Sequence, residues 1–134
     1  MGGTLDVRLD EVAQRTMTRA RGKEAARALR DRVRAVQASR VYLRISANSV
    51  ISTSFVDELV QEAAAMERDG TEVVFIVPDG QTLRKLQTSA AWRRVACRYR
   101  YQGEEEVRTL QPSNVRDATP APQAAAKSEL PAEF

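Results

Sequence analysis

The chain predicts a small α/β layer, a four- or five-stranded mixed sheet with helices packed on it. Three observations carry that expectation. Short apolar runs suited to strands recur at Leu5–Leu9, Val41–Ile45, Glu72–Val77 and Cys97–Tyr101. Between them lie segments with helical spacing of apolar residues, so strand and helix alternate along the chain. The chain has 134 residues, enough for one domain with a real core but not for two.

In order, Leu5, Val7 and Leu9 alternate with Asp6, Arg8 and Asp10, the period-two pattern of a half-buried strand, and its shortness predicts an edge position. Glu11 to Thr18 reads as loop, with Thr18 as a helix cap. Ala26, Leu29, Val33 and Val36 then form one helical stripe. Val41, Leu43 and Ile45 alternate with Tyr42, Arg44 and Ser46, predicting a central strand with one wetter face. A small-polar turn over Ala47 to Ser49 follows. A helix opens between Ser52 and Ser54 and continues on Phe55, Leu59, Ala63 and Met66 until Asp69-Gly70 stops it. The run EVVFIV, ended by Pro78-Asp79-Gly80, is the clearest strand and is expected beside Val41–Ile45, with the intervening helix crossing in the right-handed sense. Leu83, Leu86, Ala90 and Val95 suggest a helix interrupted near Thr88-Ser89. Trp92 and Cys97 read as core residues, and Val107–Leu110 as a last short strand. From Pro112 onward the chain is rich in Pro and Ala and has little to bury, which predicts a disordered tail after a domain spanning 1–111.

Composition narrows the function. Histidine, the commonest general base and metal ligand, is absent and cysteine occurs once, so Ser-His and Cys-His nucleophilic sites and an internal disulfide cannot be assembled, and Cys97 cannot by itself make a metal site. Gly22-Lys23 lacks the remaining residues of a phosphate-binding P-loop. The expectation is a non-enzymatic protein that needs no cofactor or metal. No apolar run has the length of a membrane span and MGGTLDVRLDE has no signal-peptide core, so the expected location is the cytoplasm.

Charge is segregated. Met1–Val50 carries eleven Lys/Arg against five Asp/Glu, Ile51–Leu83 carries seven acids against Arg68 alone, and Arg84–Arg100 carries six bases and no acid. Arg19, Arg21, Lys23, Arg27, Arg30 and Arg34 on the first long helix, with Arg93 and Arg94 further on, form a candidate basic face for nucleic-acid phosphates. The same pattern also arises from solvated helix faces, and the segment has no aromatic side chains for base stacking.

The second candidate surface is the strand-to-helix mouth, where α/β folds usually place their working residues. It holds Ser52, Thr53 and Ser54, followed by Asp57 and Glu58. Two helix registers are open. With Ser54 as cap, Asp57 completes an approximate capping box; with Ser52 as cap, Ile51 and Val56 form a hydrophobic staple. In either register the acids sit in the first turn and complement the helix dipole. Asp57 and Glu58 project about 100° apart, so they do not converge on one substrate atom.

The sequence SFVDEL, following an apolar strand and an Arg-rich amphipathic helix, resembles bacterial STAS-like domains of unknown function, whose hallmark is a Ser-Phe pair followed by Asp-Glu. The resemblance spans roughly Thr16 to Tyr101, and its specific part is Ile51–Leu59. It is distantly similar to the anti-anti-sigma STAS domains, in which a partner kinase phosphorylates the second of two serines. Laid over this chain the two serines fall on Thr53 and Ser54, while Ser52 stands for the family's aspartate and Phe55 for its glycine. The resemblance implies a STAS-like regulatory module that binds a protein partner, a histidine-kinase-type ATPase or an anti-sigma-like protein, with Ser54 as phospho-acceptor. The alternative is a nucleic-acid-binding adaptor using the arginine faces.

Overall fold

The computed structural model describes residues 2–13, 18–46 and 51–111. The expected turn at Ala47–Ser49 and the tail from Pro112 lie outside the described residues. The elements run β1 (Thr4–Arg8), α1 (Leu9–Val12), α2 (Arg19–Val36), β2 (Arg40–Arg44), α3 (Thr53–Arg68), β3 (Glu72–Val77), α4 (Gly80–Arg93), β4 (Cys97–Tyr101) and β5 (Arg108–Leu110). They build an α/β layer on a five-stranded mixed sheet, in the order β1-β2-β3-β4-β5.

The first four strands are parallel and β5 returns antiparallel to β4. Sequential parallel strands joined by crossovers of one hand place every connecting helix on the same side of the sheet. Side chains on a strand alternate between faces, and that alternation divides the sheet cleanly. Val7, Val41, Leu43, Val73, Phe75, Val77, Cys97 and Tyr99 face the helices and join one core with Leu29, Phe55, Leu59, Val60 and Leu86. Phe55 and Phe75 are among its largest fully buried side chains, each worth about 1.5–3 kcal/mol over the exposed state. The opposite face carries Asp6, Tyr42, Val74 and Arg98 in one cross-strand row and Arg8, Arg44, Ile76 and Arg100 in the next.

Helix ends follow the expected chemistry. The Thr18 hydroxyl accepts from the Arg21 N–H at 3.1 Å, and α2 ends on Gln37 in the left-handed region. Asp79 caps α4 by accepting from the Thr82 N–H at 2.9 Å, which also holds its carboxyl below the usual value. Asp69 closes α3 and Gly70 takes φ +97° after it.

Three expectations are corrected. Leu9 leaves the strand and opens α1, a four-residue helix where Glu11–Thr18 reads as loop; Leu9 still keeps its place in the core. Helix α4 is continuous through Thr88 and Ser89, because Ser89 lies on its buried side with Leu86 and Ala90 and meets a buried polar partner there. Trp92 is not in the core: it is 54% exposed, with the Arg93 guanidinium 4.1 Å from its ring centroid. Cys97 is buried as expected, and burial, reinforced by Glu67, pushes its thiol up to about 12.

Candidate interaction site at the β2–α3 mouth

The three hydroxyls have three different roles. Ser52 is the cap of α3: its backbone is extended and its Oγ accepts from the Phe55 N–H at 3.1 Å. That settles the register in favour of Ser52, with both staple residues, Ile51 and Val56, buried. Thr53, the first helical residue, is buried. Ser54 lies one position further on, half-buried, with its Oγ 3.3 Å from that of Ser52. Lys85 reaches over from α4 and donates to the Ile51 carbonyl, tying the mouth to its neighbouring helix.

Asp57 points inward. Its side chain is fully buried, and it accepts from every direction. Ser89 donates to Oδ1 at 2.7 Å, Arg93 Nε to Oδ1 at 2.9 Å, Arg19 Nη1 to Oδ2 at 2.7 Å and Gln61 Nε2 to Oδ2 at 3.2 Å. The Arg93 Nη2 also reaches Oδ2, so its guanidinium grips the carboxylate with both edges of its fork. Burial alone pushes the carboxyl up; the hydrogen bonds from Arg93, Arg19 and Ser89 outweigh it and bring it down to about 2. The same contacts push the two guanidinium pKa values up. One charge therefore joins α2, α3 and α4.

Glu58 completes the junction. It accepts from Arg19 Nη1 at 2.7 Å, and its side-chain base lies against Gly22 of α2. A Cβ on Gly22 would stand 3.0 Å from both the Phe55 carbonyl oxygen and the Glu58 Cβ. The two helices approach this closely because that position has no side chain.

The predicted basic face is divided by these contacts. Arg19 and Arg93 serve Asp57, Arg30 forms a two-bond pair with Glu62 at 3.0 and 2.8 Å, and Arg21 pairs with Glu24. Lys23, Arg27, Arg34 and Arg94 remain exposed, the last as the left-handed cap of α4. Part of the charge segregation seen along the sequence is thus internal complementarity, in which Arg19 and Arg30 of α2 meet Asp57, Glu58 and Glu62 of α3.

No family model matches this chain, and neither a curated protein nor a solved structure does. Its chemistry is therefore read from the residues themselves. Among the described residues no group of three His, Cys, Asp or Glu is placed to hold a metal ion, and no helix is long and apolar enough to cross a membrane.

Sequence reasoning found Asp57 but missed its setting, together with Ser89, Gln61 and the spacing role of Gly22. A signal existed for one of them. Ser89, three residues after Leu86 and next to Ala90, lies on the buried stripe of α4, and a polar residue on such a stripe calls for a polar partner in the core.

Proposed function

We propose that the protein is a non-catalytic, STAS-like regulatory module that works by binding a protein partner at the β2–α3 mouth, with Ser54 at its centre. The observation that carries the reading is the division of labour among the motif residues. Ser52 caps, Thr53 is buried and Asp57 and Glu58 hold the helices together, so Ser54 is the half-buried hydroxyl without a capping duty. It stands in the first turn of a sixteen-residue helix, where an added phosphate meets the positive end of the dipole. Asp57 lies nearby, but two guanidinium groups compensate its charge, so the helix end is not closed to an anion. Phosphorylation would place nearly two negative charges beside the Ser52 hydroxyl and the Lys85 ammonium, enough to change which partner fits. By resemblance the partner is a histidine-kinase-type ATPase or an anti-sigma-like protein.

The test uses the wild-type chain and Ser54→Asp as baits in an extract of the native host, with captured proteins and phosphosites read by mass spectrometry. The expected result is an ATPase or anti-sigma-like protein retained by wild type and lost by Ser54→Asp, with equal melting temperatures for the two baits. Equal capture by both, or loss accompanied by unfolding of the variant, overturns the switch. The nucleic-acid alternative needs an unpaired cationic array, and the pairing of Arg19, Arg30 and Arg93 with acids of α3 argues against it on this face.

A further inference from the structure

Strand β1 closes one side of the sheet and pairs with β2 alone. The first contact of that ladder fixes which way its backbone groups point. The Gly3 carbonyl accepts from the N–H groups of Ser39 and Arg40 at 2.9 and 3.3 Å, so it faces β2. In a parallel ladder a residue turns its N–H and C=O to one side and its neighbour turns them to the other. Leu5 and Val7 therefore bond to β2, whereas Thr4 and Asp6 aim their backbone groups outward, where no backbone partner meets them among the described residues. Arg8 faces outward as well, but its N–H is held by the Glu11 carboxylate. An open edge is a template for another strand, and this one has neither a proline nor a bulge to turn a partner away.

The edge also leaves apolar surface in water. Leu5 points to the helix side of the sheet but is only half-buried, and so are Val12 and Ala13 at the end of α1, the helix that follows β1. Charge and backbone together select how a second β1 would fit. A two-fold axis through Asp6 sets that carboxylate against its own copy. An axis through Val7 needs the Arg8 N–H that Glu11 already holds, and one through Thr4 leaves Leu5 opposite Gly3. An axis through Leu5 has none of these faults.

We propose that β1 pairs antiparallel with β1 of a second copy about a two-fold axis through Leu5, joining the two sheets into one. Thr4 of each copy exchanges both backbone bonds with Asp6 of the other, which satisfies the outward groups of both residues. The two Leu5 side chains meet on the helix side in the closer, non-hydrogen-bonded position. On the open side the Thr4 hydroxyl faces the Asp6 carboxylate and donates to it. Arg44 compensates that carboxylate at 2.8 and 3.0 Å, so the contact brings no unbalanced like charges together. The interface is isologous and closes on itself as a dimer. None of the motif residues at the β2–α3 mouth takes part in it.

The experiment is sedimentation equilibrium of the full chain from about 5 µM to about 1 mM, with thermal melts of every variant. One short strand pair is a small interface, so a dissociation constant of about 10–100 µM is expected. Thr4→Pro should be monomeric throughout. Thr4 gives no N–H to β2, so proline removes no bond from the monomer while deleting a donor that the dimer needs. Thr4→Lys and Thr4→Glu read the register. The lysine faces Asp6 of the second copy and should tighten the dimer about threefold or more, and the glutamate should weaken it by a similar factor. That pair carries the test should Thr4→Pro unfold. A wild type that stays monomeric at about 1 mM overturns the proposal. So does a dimer that a folded Thr4→Pro leaves intact, since the contact would then lie elsewhere, or one on which the lysine and glutamate variants act alike.

Discussion

The two faces of the sheet use arginine in opposite ways. On the helix side, Arg19 and Arg93 converge on a carboxylate with no solvent access, and their charge is absorbed into the packing of α2, α3 and α4. On the open side, the Arg44 pair with Asp6 leaves both side chains over two-fifths exposed, and Arg100 has no carboxylate partner among the described residues. The same residue type locks packed helices together on one face and forms partly exposed surface contacts on the other. Burial of the acid, not the number of arginines, decides which: a carboxylate taken out of water must be fully compensated, whereas an exposed pair adds little.

The largest expected effect is at the buried charge. Asp57→Asn should lower unfolding free energy by about 3 kcal/mol or more, because the amide removes the negative charge and turns an NH2 donor toward the donors of Arg93, Arg19, Ser89 or Gln61 inside the helix layer. The pH dependence has a definite sign. The folded carboxyl lies at about 2 against an ordinary 3.8, so Asp57 stabilises the fold at pH values above about 4 and loses that contribution as pH falls from about 4 toward 2. The shift corresponds to about 2 kcal/mol. Acid titration of stability, followed by circular dichroism, should therefore be shallower in Asp57→Asn than in wild type.

Gly22→Ala probes the same junction sterically. The new methyl group would press on the Phe55 carbonyl and the Glu58 stem at 3.0 Å, and the backbone oxygen cannot swing aside. Overpacking costs about 1–3 kcal/mol, partly offset by the better helix propensity of alanine, so a net loss of about 1–2 kcal/mol is expected in a urea melt. Ser52→Ala removes the α3 cap and should cost about 1 kcal/mol, whereas Ser52→Asp should be nearly neutral because aspartate also caps. Asp6→Asn on the open face should change stability by less than about 1 kcal/mol. A cost there equal to that at Asp57 would remove the contrast between the faces.

Much of the fold was legible in the residues because its signals are local. Strand alternation at Val41–Ile45, the apolar run Glu72–Val77 and the stop at Asp69-Gly70 each depend on neighbours a few positions apart, and each gave the right element. The choice between Ser52 and Ser54 was not legible, since both side chains cap equally well and tertiary packing of Ile51 and Phe55 selects the register. Nor was the role of Asp57. In sequence it reads as a first-turn acid, but its partners Ser89, Arg93 and Arg19 are 32, 36 and 38 residues away. The break expected at Thr88-Ser89 and the burial expected for Trp92 fail for a related reason. Leu86, Ala90 and the polar pair Ser89 and Arg93 face the core, which turns Trp92 outward.

The most direct test of the account is a urea denaturation series on wild type, Asp57→Asn and Ser54→Asp. The acidic motif residue Asp57 is internal and Ser54, one helical turn before it, is half-buried, and this arrangement sets the expected outcome. It predicts that Asp57→Asn loses about 3 kcal/mol or more while Ser54→Asp stays within about 0.5 kcal/mol of wild type, with similar denaturant slopes for all three. A loss below about 1 kcal/mol for Asp57→Asn, the value of an exposed pair, would contradict the buried junction from which the rest is argued.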